Sequence, residues 1–161
     1  MEIRFSSDIV EVAEQQLNRG ETDPVWMQEF MQPVGFVHSE EWCMRFARAC
    51  WYWAYQRHNE PLDSLFANSI GSAAGLLEDA EEVKRVHNEP FIGAIVIYVA
   101  MRPNWLKELR WVGFHCGICV AVTSDHKTIW AIEGNTDETG RDNGDKVCRI
   151  ERPLKNCRFI F

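Results

Sequence analysis

The stretch VGFHCGICVAV, residues 112–122, decides most about the fold. It is an almost unbroken apolar run whose one turn signal is Gly117, and such a run is typical of a buried β-strand. The second half of the chain holds more runs of this kind, separated by turn residues. We therefore predict strands at residues 92–100, 112–122, 127–133, 146–151 and 157–161.

The first half of the chain predicts helices instead, because apolar residues recur there with helical spacing. We expect helices from Asp8 to about Asn18 behind a Ser7 cap, from a Ser39 cap to about His58, and from about Ser72 to Arg85. Residues 22–37, which Pro24 and Pro33 interrupt, are expected to form a connection. Helices followed by a meandering antiparallel sheet of about five strands define an α+β fold. The length of 161 residues suits a single domain, 1–161.

Cys116 and Cys119 form a C-x-x-C pair inside the predicted strand 112–122. Residues three apart in a strand point to opposite faces, so this pair does not predict a zinc site. The same alternation places His115 and Cys119 on one face and Cys116 on the other. The chain has six cysteines in all, which are weak evidence for disulfides without a secretory signal. We expect no metal and no cofactor.

His115 is the one basic residue of this strand. A histidine in an apolar strand is more often a hydrogen-bonded core residue than a catalyst. Gly113 and Gly117 flank it at two-residue spacing, which predicts that they share its face and leave room around the imidazole, as a base in a substrate cleft requires. Because the pKa of an unperturbed imidazole is about 6.5, His115 could exchange a thiol proton near neutral pH.

A second stretch, Trp42-Cys43-Met44-Arg45-Phe46, lies near the start of the second predicted helix. The dipole and the free N–H groups of a helix N-terminus stabilise a thiolate, which makes Cys43 a candidate nucleophile. The alternative is a core cysteine on the apolar face of the helix.

A third stretch, Glu133-Gly134-Asn135, ends the strand that follows the His115 strand. A hairpin would place the two strands side by side, and Glu133 and Asn135, two residues apart, would share a face. Either side chain could accept a hydrogen bond from His115 and fix its tautomer. The alternative is that these residues only form a turn at the end of the strand.

The order Cys, His, Glu/Asn along the chain is that of papain-like cysteine hydrolases, in which a helix presents the sulfur to a sheet that carries the base. The three stretches resemble the conserved blocks of the CHAP/NlpC-P60 superfamily of bacterial and phage peptidoglycan hydrolases. The resemblance implies that Cys43 is the nucleophile, that His115 is the base, and that Glu133 and Asn135 are polar orienting groups. Many members of that superfamily carry Gln before the cysteine, where it can serve the oxyanion, whereas this chain has Trp42.

The resemblance further implies a papain-like α+β enzyme that cleaves an amide bond in peptidoglycan, either as an N-acetylmuramoyl-L-alanine amidase or as a stem-peptide endopeptidase. The residues by themselves indicate only acyl transfer by a Cys–His pair. Two alternatives therefore stay open: a protease or deamidase that acts on a protein, and a non-catalytic binding module that keeps the fold.

The net charge of −7 argues against nucleic acid or an anionic membrane as a partner, since both bind clustered Lys and Arg. It also gives no long-range attraction to an anionic cell wall, so a specific groove would have to bind peptidoglycan. Residues 1–12 contain no signal-peptide core, and the longest apolar run, 91–101, is shorter than the ~20 residues that span a bilayer. We expect a soluble monomer, synthesised in the cytoplasm, that meets the cell wall only if it is delivered or released.

Overall fold

The computed structural model describes residues 3–36, 41–68, 71–103 and 108–161. These residues form five α-helices: α1 (Ser6–Glu14), α2 (Pro24–Met31), α3 (Cys43–Gln56), α4 (Ser64–Asn68) and α5 (Ala73–Glu82). They also form six strands: β1 (Val86–His87), β2 (Ile95–Pro103), β3 (Leu109–Val122), β4 (Thr128–Thr136), β5 (Lys146–Pro153) and β6 (Cys157–Ile160). Helices precede the sheet along the chain, which confirms the α+β fold.

All strand pairs of the sheet are antiparallel, in the order β1-β6-β2-β3-β4-β5. Strands β2 to β5 follow one another as a meander, and β6 returns to pair with the free edge of β2. The sheet of the described residues therefore has six strands rather than about five. The additional strand, β1, has only two residues, which is too short to produce an alternating sequence pattern.

The N-terminal helices begin differently from the sequence prediction. Ser7 lies inside α1 and does not cap it, because Phe5 precedes the helix in a left-handed conformation with a φ of 60°. The supposed connection contains α2, whose N-cap Asp23 accepts a hydrogen bond from the backbone N–H of Trp26 at 3.1 Å. Pro24 occupies the first turn of α2, where a missing N–H costs nothing, so it starts a helix here rather than interrupting one.

The helix α3 packs against β3 and β4 and is buried along most of its length. It begins at Cys43, whereas the proposed cap Ser39 lies outside the described residues. Gly134 allows a close approach between α3 and β4: a Cβ atom at this position would lie 2.6 Å from the Trp42 ring and 2.7 Å from Cβ of Phe46. The helix N-terminus is thus held directly over the end of β4.

The helix α5 begins as the sequence predicts. Ser72 is its N-cap and accepts a hydrogen bond from the backbone N–H of Gly75 at 3.0 Å. Across the residues that the structure describes, every helix is too short or too polar to cross a lipid bilayer.

Candidate active site

Cys43 is the first residue of α3, and its side chain is 5% exposed. A hydrogen bond from the Cys116 thiol is the largest effect that lowers the pKa of Cys43. Burial opposes this effect, while His115 and the backbone N–H of Met44 support it, and the resulting pKa is about 5 instead of 9.0. Free N–H groups at a helix N-terminus favour a thiolate for the same electrostatic reason. Cys43 is therefore ionised at neutral pH.

His115 lies in β3 and is completely buried. Its Nε2 atom lies 3.0 Å from Oε2 of Glu133. Its Nδ1 atom makes no hydrogen bond of standard geometry within the described part of the chain, but the Cys43 thiol lies close enough to shift its protonation. Burial lowers the pKa of His115, whereas the Cys43 thiolate and the Glu133 carboxylate together raise it, to about 9. The imidazole thus interacts with both the Cys43 thiol and the Glu133 carboxylate.

Glu133 is the residue whose carboxylate lies within hydrogen-bond distance of His115. It is completely buried in β4, and its carboxylate also accepts a hydrogen bond of 2.7 Å from the hydroxyl of Tyr98. Arg152 donates two further hydrogen bonds, of 2.8 Å to Oε1 and 2.6 Å to Oε2. Burial raises the pKa of Glu133, but Arg152 and His115 outweigh it and hold this pKa below its ordinary value. Glu133 is an ionised carboxylate in the protein interior.

Asn135 does not share this role, since no hydrogen bond of the described residues joins it to His115. The register of β4 against β5 shifts between Glu133 and Thr136, and Asn135 has a φ of 58°. This irregularity breaks the two-residue alternation on which a shared face depends. The side chain is 2% exposed, and within the described residues its Nδ2 atom has no hydrogen-bond partner.

Cys116 lies next to Cys43, although the sequence places it on the face opposite to His115. From His115 to Ile118 the pairing of β3 with β2 is regular, so the side chains of His115 and Cys116 leave the strand on opposite sides, as the sequence predicts. The Cys43 thiol nevertheless interacts with both residues. Burial raises the pKa of Cys116 well above its usual value, so Cys116 remains a neutral donor.

Neither glycine beside His115 opens a cleft around the imidazole, so this prediction was wrong. A Cβ atom at Gly113 would lie 2.7 Å from Cγ2 of Ile97 and 3.0 Å from the carbonyl oxygen of Ala73 in α5. A Cβ atom at Gly117 would lie 2.7 Å from Cγ of Glu133. Gly113 thus leaves room for the start of α5, and Gly117 leaves room for the Glu133 side chain, whose carboxylate interacts with His115.

Tyr98 and Arg152 were not identified from the sequence. Tyr98 pairs directly with His115 in the ladder between β2 and β3, and the guanidinium of Arg152 lies 4.7 Å from the centre of the Tyr98 ring. The signal for Tyr98 was a hydroxyl within an apolar strand, because a buried tyrosine hydroxyl needs a partner. Arg152 gave no comparable signal, since β5 carries charged residues at several positions.

The C-x-x-C pair lies within the continuous strand β3, and all six cysteines are free thiols. Over the described ranges, no group of three or more His, Cys, Asp or Glu side chains is arranged to hold a metal ion.

Comparison with protein-family models, with curated proteins and with solved structures finds no match to this chain. The resemblance to CHAP/NlpC-P60 hydrolases therefore rests on the three sequence stretches and stays a prediction. Independently of it, the geometry defines a class of site: a thiolate at a helix N-terminus, an imidazolium beside it, and a buried carboxylate behind the imidazolium. Between pH values of about 5 and about 9, this arrangement holds a thiolate–imidazolium pair.

Proposed function

We propose that this protein is a papain-like cysteine hydrolase that cleaves an amide bond in peptidoglycan. The single observation that carries the chemistry is the thiol of Cys43, ionised at the start of α3 beside an imidazole whose far nitrogen is held by Glu133. Nucleophilic catalysis by cysteine needs these three features: a lowered thiol pKa, a base within reach, and a group that fixes the base.

The reaction proceeds in two steps. The Cys43 thiolate attacks the carbonyl carbon of the scissile amide, and the imidazolium of His115 gives its proton to the departing amine, which leaves a thioester on Cys43. His115, now neutral, takes a proton from water, whose oxygen attacks the thioester and releases the acid and the thiolate. Glu133 keeps the imidazole in one orientation throughout and stabilises its charged form.

The oxyanion needs hydrogen-bond donors near Cys43. The backbone N–H of Cys43 is the first, because the initial N–H groups of a helix have no partner within the helix. Asn135 is our candidate for a substrate-binding donor, since its buried Nδ2 atom has no partner among the described residues. Its neighbour Gly134 contacts Trp42 and Phe46, which places this part of β4 against the start of α3.

The substrate class rests on the resemblance of the three sequence stretches to peptidoglycan hydrolases. The reaction products distinguish an amidase from an endopeptidase. A protease or deamidase would use the same Cys43–His115 pair on a protein substrate. A binding module would keep the fold without turnover.

The test is digestion of purified sacculi, followed by mass spectrometry of the soluble fragments. We expect muropeptides with a newly freed amine and carboxylate, and the position of the cut identifies the bond. Cys43→Ala should release none. Cys50→Ala is the matched control, because Cys50 is a buried cysteine on the same helix with a raised pKa. No release by the wild-type protein, or equal release by Cys43→Ala, would refute the proposal.

A further inference from the structure

We infer that Arg152 is a positioning residue of the site, whose guanidinium keeps the buried carboxylate of Glu133 ionised and so maintains a negative charge against His115. This role rests on the proposed function, in which Cys43 and His115 are the reacting pair.

The position of Glu133 makes a fixed counter-charge necessary. Its side chain is fully buried, and an isolated carboxylate in such an environment takes up a proton rather than remain charged. Arg152 meets it with two nearly parallel hydrogen bonds, of 2.8 and 2.6 Å, from a planar group that is always protonated. The guanidinium is itself held over the Tyr98 ring, and the hydroxyl of Tyr98 donates to the same carboxylate.

The other groups around Glu133 cannot replace Arg152. Among the described residues, the ionisable side chains of the surrounding strands that interact electrostatically with the carboxylate include Tyr98 on β2, His115 and Cys116 on β3, Cys148 and Arg152 on β5, and Cys157 on β6. The tyrosine and these three thiols have raised pKa values and are neutral at neutral pH. Within this set, Arg152 alone is positive whether or not His115 is protonated.

This permanence matters during turnover, because His115 alternates between its charged and neutral forms. If Glu133 lacked Arg152, the carboxylate could take the proton that His115 should give to the leaving amine. The bidentate pair makes Glu133 a poor proton acceptor while it still accepts the hydrogen bond from Nε2. Arg152 therefore acts on the substrate only through Glu133 and His115.

The experiment is an NMR titration of the His115 ring in protein with isotope-labelled histidine. Glu133→Gln should lower the pKa of His115 by about 1–3 pH units, as expected for the loss of an adjacent opposite charge. Arg152→Met should also lower the pKa of His115. Without the guanidinium, the buried carboxylate of Glu133 takes up a proton, and a protonated Glu133 is electrically equivalent to Gln. Adding Arg152→Met to Glu133→Gln should produce no further decrease. In Arg152→Lys, the pKa of His115 should lie between those of Arg152→Met and the wild-type protein, since lysine restores the positive charge without the two hydrogen bonds of the guanidinium.

Arg149→Met is the matched control, because Arg149 lies on the same strand with its guanidinium 5.6 Å from the centre of the Trp130 ring. It should leave the pKa of His115 unchanged. If Arg152→Met does not fold, Arg152→Gln removes the charge but keeps a donor, and the same decrease is expected. An unchanged or raised pKa of His115 in the folded Arg152 variant would overturn the inference. Absence of sacculus cleavage by the wild-type protein would refute the proposed function without affecting this result.

Discussion

The side chain of Glu133 on β4 packs against Gly117 of β3. A Cβ atom at position 117 would lie 2.7 Å from Cγ of Glu133 and 2.8 Å from the carbonyl oxygen of Ile132. Real Cβ atoms do not approach other heavy atoms so closely. The missing side chain therefore lets the carboxylate lie where it reaches His115.

Gly117→Ala should displace Glu133 and so misorient the imidazole. We expect the rate of hydrolysis to fall by on the order of 10²-fold, the cost of a displacement of about 1 Å in an active site. The control is Gly113→Ala on the same strand, whose added methyl group would meet Ile97 and Ala73 instead. Thermal unfolding and rate should both be measured: the control should lose stability with a much smaller loss of rate. Equal loss of rate in the two variants would show that general damage to β3, not Glu133, is responsible.

Glu133→Gln and Asn135→Gly separate the two polar residues at the end of β4. Glu133→Gln should lower the rate by on the order of 10²-fold. It should also shift the alkaline limit of the pH–rate profile, set by the His115 pKa of about 9, to lower pH, because the imidazolium loses its stabilising charge. Asn135→Gly removes the amide while keeping the left-handed backbone, which glycine adopts readily.

For Asn135→Gly we expect a lower rate with an unchanged pH–rate profile, since this residue has no hydrogen bond to His115. Asn135→Ala should behave alike but also lose stability, because alanine is strained at a φ of 58°. A shifted profile for Asn135→Gly alone would mean that Asn135, not Glu133, orients the base.

Cys116→Ala should raise the pKa of Cys43, because it removes the thiol whose hydrogen bond is the largest effect lowering that pKa. The pH dependence of Cys43 alkylation by iodoacetamide, resolved by peptide mass spectrometry, measures this shift. Cys119→Ala provides a control from the same strand, as Cys119 is not among the main groups that shift the pKa of Cys43. If both variants keep the wild-type profile, the Cys116 thiol does not stabilise the thiolate.

The strands and the choice of Cys43, His115 and Glu133 could be predicted from the sequence because each depends on local pattern. An apolar run indicates a buried strand, and a polar residue inside one requires a partner. The face of a side chain could be predicted only where the strand is regular. The bulge at Phe114 breaks the alternation between Gly113 and His115, and the irregular end of β4 breaks that between Glu133 and Asn135, since bulges depend on pairing between strands rather than on one strand.

Arg152 shows a further limit of local pattern. It comes 19 positions after Glu133 along the chain, and only the pairing of β4 with β5 brings the two together. A charged residue on a half-exposed strand is ordinarily solvated, so the sequence offers no reason to select this one. The α2 helix illustrates the same point locally, because the residues Asp23-Pro24 can start a helix as well as end one.

The central claim is that Cys43 is a thiolate at neutral pH. The most direct measurement is the ultraviolet absorbance of the thiolate as a function of pH, taken as the difference between the wild-type protein and Cys43→Ala. This reading does not depend on access of a reagent to a thiol that is only 5% exposed. We predict that the thiolate forms with a midpoint near pH 5, far below the ordinary value of 9.0. A midpoint at or above the ordinary value would contradict the account and leave Cys43 a core cysteine.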